Sequence, residues 1–268
     1  MKKCSPAKIR NELYLFIIYF LTGCSILASF SQFISLSNKF GAFNIGELIL
    51  IMFNDSYTGC FAFTFLYFFI VVLLLPVEQN IYYKIIRYGN RIEYFIEKQK
   101  IILINLIVYI TVIVIFSILI GAVNSNLDIY ISQSTQKFSE LYLQGKFESD
   151  NLIIEILKII FSKFLLLYFF ASIHLFLSNF KIPLSISFCI NTSIMVIMIA
   201  MFLGYFGDFG IRMSLFSLSG SIYPFGFGFF QRILILILID ITFFIINLKI
   251  FQIKDIILPK GNKQYQNE

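Results

Sequence analysis

The sequence predicts an all-α, polytopic membrane protein with six transmembrane helices and both termini in the cytoplasm. The first observation is composition: of 268 residues, 59% are hydrophobic, only 13% are charged, and 34 are phenylalanines. A soluble domain carries about 25% charged residues and cannot hide so much apolar surface. The second observation is spacing, because the apolar residues fall in long blocks separated by charged or glycine-rich breaks. The third is that basic residues flank these blocks.

Six blocks are long enough to cross a hydrocarbon core of about 30 Å at a rise of about 1.5 Å per residue. They comprise residues 13–33, 57–75, 101–122, 157–179, 183–206 and 230–248. Pro76 follows the second block, and Pro183 opens the fifth, where a helix tolerates proline in its first turn. We expect residues 1–268 to form a single membrane domain without a soluble module.

Two other stretches are apolar without forming a complete span. Residues 40–53 are too few and are interrupted by Gly46 and Glu47, which predicts an interfacial or re-entrant segment. The connection from Gly204 to Phe229 interleaves glycine with phenylalanine. Because glycine breaks helices and aromatic rings favour the membrane interface, this connection predicts short re-entrant or interfacial helices, with a plain loop as the alternative.

The distribution of basic residues predicts the orientation. Fourteen Lys and Arg residues lie in the N-terminal leader, between spans two and three, between spans four and five, and after span six, whereas four lie in the alternate connections. Cytoplasmic segments carry the excess of positive charge, so both termini are expected inside a bacterial plasma membrane. The net charge of +6 would suggest nucleic acid if it formed a soluble basic face, but these residues flank apolar spans. No nucleic-acid partner is expected.

The N-terminus also admits a second interpretation. Residues 21–24, Leu-Thr-Gly-Cys, resemble a lipoprotein processing box, which would lipidate Cys24. Against this, the apolar run continues past Cys24 to Phe30, and residues 58–60 repeat Thr-Gly-Cys where cleavage would make no sense. We therefore expect the first span to be a membrane helix.

Catalytic motifs are absent from the sequence. His174 is the single histidine, which excludes a His-Glu-x-x-His zinc site, and a pair with Ser219 is opposed by their expected positions at different ends of the spans. The chain lacks a phosphate-binding Gly-x-x-x-x-Gly-Lys loop, so any ATP hydrolysis must come from another subunit. We expect no enzymatic activity and no cofactor, and interpret His174 as structural.

Lys163 and Asp240 are charged residues that lie further inside the predicted spans than Lys158 and Arg232 do. A carboxylate near the bilayer centre costs about 2.5–3.5 kcal/mol, so Asp240 should face protein or water. Lys163 is its nearest plausible partner by depth. The two residues are either a polar spot on a transport path or an interhelical ion pair that fixes packing, and in the second case they should be energetically coupled.

The connection between spans two and three carries a family resemblance. It reads Ile85-Ile86-Arg87-Tyr88-Gly89-Asn90-Arg91, followed by Tyr94, Phe95 and a lysine-rich entry to span three. This segment resembles the cytoplasmic loop of bacterial ABC-2-type transporter permeases, in particular the small ones that accompany peptide-antibiotic and bacteriocin exporters. The resemblance implies a coupling helix that docks into a groove of an ATPase subunit, with partner-binding residues Arg87, Tyr88, Gly89, Arg91, Tyr94 and Phe95.

The same resemblance implies a function. It implies a permease subunit that forms the path for a peptide, lipid or drug-like substrate, in a homodimer or a heterodimer with a second permease. The long connection after span three departs from the family, in which it is often short. Two alternatives stay open: a stand-alone membrane immunity or stress protein without an ATPase, and an intramembrane enzyme that depends on His174 or Asp240.

Overall fold

The computed structural model describes residues 6–40, 43–75, 90–122, 129–142, 147–180, 182–220 and 228–253. Within these ranges the chain is helical and has no β-strand, which confirms the all-α prediction. The α-helices are α1 (Pro6–Phe40), α2 (Ile45–Asn54), α3 (Phe63–Leu74), α4 (Arg91–Gly121), α5 (Gln133–Tyr142), α6 (Leu152–Asn179), α7 (Leu184–Phe202), α8 (Gly207–Met213), α9 (Leu215–Leu218) and α10 (Phe229–Ile253). A π-helical segment, Ser56–Ala62, leads directly into α3.

Five helical stretches of the described residues are long and apolar enough to cross a membrane. They are Glu12–Ser35 within α1, Ser56–Leu74, Arg91–Gly121, Leu184–Phe202 and Phe229–Gln252. The chain is therefore a helical protein with the character of a membrane protein, and these stretches contain most of the predicted first, second, third, fifth and sixth spans. The third begins ten residues earlier than expected, because Asn90 caps the helix by accepting a hydrogen bond from the Glu93 amide.

The predicted fourth span, residues 157–179, lies within α6, which is not one of those five stretches. This helix occupies the centre of the bundle and contacts α2, α3, α4, α7 and α10. Most of its residues are buried, including the charged Glu155 and Lys163. Because protein surrounds α6, it accommodates charged side chains that a lipid-facing helix would not.

The two ends of the bundle are called the Leu152 end and the Arg91 end. At the Leu152 end, Gly46 of α2 lies against Leu152 of α6. At the Arg91 end, the Arg91 guanidinium of α4 donates a hydrogen bond to the Gln252 carbonyl of α10.

The short apolar stretch of residues 40–53 contributes most of α2, and all ten residues of that helix are buried. The helix lies inside the bundle, between α4 and α6, rather than on its surface. Its N-terminus is held by reciprocal hydrogen bonds between Asn44 and Glu47. The buried Glu47 carboxylate also accepts the Ser132 amide at 2.5 Å, which ties the segment before α5 to the bundle.

The chain breaks its helix at Asp55, between α2 and the π-helical segment. The Asp55 carboxylate accepts hydrogen bonds from the Tyr57 and Thr58 amides and so begins the next helix. Gly59 is required at this corner, because a Cβ atom there would lie 2.3 Å from the Phe53 carbonyl oxygen. The break is therefore built into the sequence.

The connection after α7 contains two short helices, α8 and α9, within the described residues 204–220. Gly204 and Gly207 have φ of 84° and 66°, a left-handed conformation that favours glycine and lets the chain reverse. Helix α9 is buried against α6 and α10 through Leu215 and Phe216. The prediction of short helices here is confirmed in this range.

Candidate functional site

A polar seam runs between α4, α6 and α10. Its members are Gln99 of α4, Tyr168, Ser172 and Asn179 of α6, and Asp240 and Asn247 of α10. On α10, the buried residues form one narrow stripe; Asp240 and Asn247 lie on this stripe, two turns apart. The seam is thus the contact surface between α10 and the centre of the bundle.

Hydrogen bonds connect the seam across its three helices. The Tyr168 hydroxyl donates to Gln99 Oε1 at 2.7 Å, which joins α6 to α4. Asn247 Nδ2 donates to the Ser172 carbonyl at 3.1 Å, and Asn179 Nδ2 donates to Asn247 Oδ1 at 3.3 Å, so α10 is joined to α6 toward the Arg91 end. Amide and hydroxyl groups at these positions hold helices together in an apolar environment.

Asp240 is the acidic side chain of the seam. Its side chain is 6% exposed, and neither carboxylate oxygen has a hydrogen-bond partner among the described residues. The nearby Tyr168 hydroxyl interacts with it electrostatically but donates its hydrogen bond to Gln99. The Gln99 Nε2 donor likewise has no partner. A buried acid that the surrounding protein does not neutralise is costly, and inside a membrane helix it points to a functional role.

The structure does not form the expected pair between Lys163 and Asp240. Lys163 is almost fully buried, its ammonium donates to Cys60 Sγ at 3.5 Å, and it lies 5.9 Å from the centre of the Phe216 ring. Five residues separate Lys163 from Tyr168 on α6, which corresponds to a rotation of about 140° around the helix. Lys163 therefore faces the π-helical segment and α9, while Tyr168 faces the seam.

A second group of charges lies at the Leu152 end, and here every charge has a partner. The fully buried Arg232 of α10 pairs with Glu148 Oε1 at 3.0 Å and also donates to the Gly220 carbonyl. Lys158 of α6 pairs with Glu148 Oε2 at 3.2 Å and with Glu155 Oε1 at 2.9 Å. We call these four charged residues the charge network.

His174 is also fully satisfied. Its Nε2 lies 3.1 Å from the Leu75 carbonyl oxygen and its Nδ1 lies 3.1 Å from the Ser187 hydroxyl. Since a carbonyl only accepts, Nε2 carries a proton and donates to the Leu75 carbonyl, while Nδ1 forms a hydrogen bond with the Ser187 hydroxyl. The residue joins the end of α3 to α6 and α7 without contacting a carboxylate in the described chain, an arrangement that suits the structural interpretation of His174.

The predicted partner-binding segment is divided by the structure. Arg87, Tyr88 and Gly89 lie outside the described residues. Arg91, Tyr94 and Phe95 form the first turns of α4. The Tyr94 and Phe95 rings lie 6.0 and 5.2 Å from the Phe251 ring of α10, and both side chains are buried there. The exposed apolar residues of these turns are Ile92 and Ile96.

The chain was matched to no known protein. Comparison finds no matching family model, no matching curated protein and no matching solved structure. Within the described ranges, no group of three His, Cys, Asp or Glu side chains is arranged to hold a metal ion. The seam, the charge network and the segment that precedes α4 are therefore the features of the chain from which a function can be inferred.

Sequence reasoning missed the charge network and the amides of the seam. The contact between Glu148 and Arg232 joins residues 84 positions apart, and no local pattern announces it. The pair of Glu155 and Lys158 was detectable, since residues three apart on a helix face each other.

Proposed function

We propose that this chain is the membrane-spanning permease subunit of an ABC exporter in a bacterial plasma membrane. It forms the translocation path for a peptide, lipid or drug-like substrate, works as a homodimer or with a second permease, and receives ATP-derived work from a separate ATPase subunit. The observation that carries this proposal is the packing of Arg91, Tyr94 and Phe95, which belong to the segment that resembles the permease loop, against α10 beside the polar seam.

This attachment is rigid on the described side. Asn90 fixes the start of α4, and the Arg91 guanidinium donates to the Gln252 carbonyl of α10 at 2.9 Å. One turn further on, Phe95 is buried against Phe251 of α10, and the next turn of α4 carries Gln99 of the seam. A displacement of residues 87–91 by a docked ATPase would therefore move α4 and α10 together, and with them the two sides of the seam around Asp240.

In this proposal α6 crosses the membrane in addition to the five stretches given above, as the fourth of six spans in chain order. Its 28 residues are more than enough to cross the hydrocarbon core, and an even number of spans returns both termini to the same side. The excess of basic residues places that side in the cytoplasm. The Arg91 end then faces the ATPase and the Leu152 end faces outward.

Thiol labelling from outside the cell tests this topology. A cysteine introduced at Lys137 or Arg212 should react with an impermeant maleimide, whereas one at Arg91 or Lys260 should react only after permeabilisation. The native cysteines are first replaced by serine. Labelling of the Arg91 site in intact cells would reverse the orientation and remove the ATPase-facing surface from the proposal.

Docking itself is tested with two isoleucines of α4. Ile92 is 44% exposed beside the resemblance segment, whereas Ile104 is 60% exposed in the middle of the span. When the chain is purified with the proposed ATPase subunit, Ile92→Glu should abolish co-purification and ATPase stimulation, because a charge in a docking groove is strongly unfavourable. Ile104→Ser serves as the matched control on the lipid-facing part of the same helix and should retain both.

Equal co-purification of wild type and Ile92→Glu would contradict the docking assignment. A full biological effect of the chain in cells that lack any ABC ATPase would instead favour the stand-alone membrane protein.

A further inference from the structure

We propose that Asp240 recognises a lipophilic organic cation, so that the transported substrate of this permease carries delocalised positive charge on an apolar body. That the bound cation is also transported rests on the proposed function, whereas its binding at Asp240 is inferred from the geometry of α4, α6 and α10 alone. A protonated or metal-bound carboxylate would be the other way to neutralise this site, and the experiment below separates these from an organic cation.

The charge of Asp240 has no counterpart around it. Lys163 of α6 is turned toward Cys60, and Lys98 of α4 lies over the Tyr94 ring, 5.4 Å from its centre. The other seam side chains are uncharged amides and hydroxyls, and Tyr168 is the only titratable one among them. An anionic site in an apolar interior binds an external cation strongly, because the attraction is poorly screened there.

The surroundings select the kind of cation. Phe243 and Phe244 follow Asp240 by one turn on either side of its face, and their rings lie 5.2 Å from Phe169 and 5.3 Å from Phe95. Aromatic rings attract cations through their negative faces. A metal ion needs several oxygen ligands and a small cavity, whereas the chain here offers one carboxylate among aromatic rings. A cation with an apolar surface also loses little hydration on entry.

The position of Asp240 gives such a ligand a short route. Leu238 and Ile241, its near neighbours on α10, are 54% and 48% exposed on the surface of the bundle. A molecule dissolved in the bilayer therefore lies within one helix face of the carboxylate. A small separation of α10 from α4 and α6 would open the site, and the contact of Phe95 with Phe251 links that separation to the Arg91 end.

Binding of tetraphenylphosphonium to the chain alone, purified in lipid nanodiscs, tests the inference. Equilibrium dialysis should show saturable binding by the wild type and a loss of about tenfold or more in affinity for Asp240→Asn, since the variant removes the one charge that the described part of the seam offers to the ligand. Asp240→Glu, which keeps the carboxylate, should restore measurable binding. Asp208→Asn, at an exposed position of α8, is the matched control and should bind like the wild type.

Two further arms identify the ligand class. Tetraphenylborate, an anion of the same shape, should show no saturable binding, and sodium chloride varied against a choline chloride reference should leave tetraphenylphosphonium binding unchanged. Equal affinity of wild type and Asp240→Asn, equal binding of the two tetraphenyl ions, or displacement by sodium would each overturn the inference. Because no ATPase is present, this outcome is independent of the Ile92 experiment, which tests the proposed function.

Discussion

The charge network at the Leu152 end and the polar seam between α4, α6 and α10 treat buried charge in opposite ways. In the charge network, Arg232 and Lys158 share the Glu148 carboxylate, and Lys158 also pairs with Glu155. In the seam, Asp240 has no hydrogen-bond partner in the described part of the chain. The difference teaches that one site is built to hold the fold and the other keeps a charge available.

Removing Arg232 should have the largest effect on stability. Arg232→Met removes one of the two cations that pair with Glu148, leaves the Gly220 carbonyl without its Arg232 donor, and should lower the free energy of unfolding by about 3 kcal/mol, the low end of the range for a broken buried ion pair. The low end applies because Glu148 is partly exposed and keeps Lys158. Thermal unfolding followed by circular dichroism in nanodiscs measures the change, with the exposed Arg212→Met of α8 as control. Equal midpoints for the two variants would show that the charge network does not hold the fold.

Replacing Asp240 should change stability much less. Asp240→Asn removes a charge that no described group neutralises, so the free energy of unfolding should stay within about 1 kcal/mol of the wild-type value and should rise rather than fall. The same thermal unfolding measures it. A loss as large as that of Arg232→Met would show that Asp240 has a structural partner, and the contrast between the two sites would disappear.

The smallest effect is expected from combining Asp240→Asn with Lys163→Met. The two side chains face different neighbours, so their effects on the unfolding free energy should add to within about 0.5 kcal/mol. A double-mutant cycle from thermal unfolding gives the interaction energy. A value well above this limit would restore the ion pair that depth along the spans suggests.

The expected pair of Lys163 and Asp240 shows which features the sequence could predict and which it could not. Hydropathy predicted the long apolar helices and the positions of Lys163 and Asp240 along them, because length and composition determine both. It did not determine which way each side chain faces, since the rotation of α6 within the bundle depends on packing against at least six other helices. Depth alone therefore suggested a pair that the fold does not form.

The segment before α4 teaches the same lesson from another side. Its motif contains Tyr94 and Phe95, which the family resemblance places among the residues that meet a partner. The aromatic rings of α10 were not visible in that local pattern, and Phe251 buries both side chains inside the chain. The polar seam escaped for a related reason, because Gln99 and Tyr168 are unremarkable in isolation and meaningful only when 2.7 Å apart.

We propose that the seam around Asp240 and the Arg91 end of α4 belong to one mechanism. The most direct measurement is the rate of ATP hydrolysis by the chain reconstituted with the proposed ATPase subunit, with and without tetraphenylphosphonium. We predict that the cation stimulates ATP hydrolysis by the wild-type complex and does not stimulate hydrolysis by the complex with Asp240→Asn. Stimulation of equal size in both complexes, or no response of the wild type to a cation that it binds, would contradict the account.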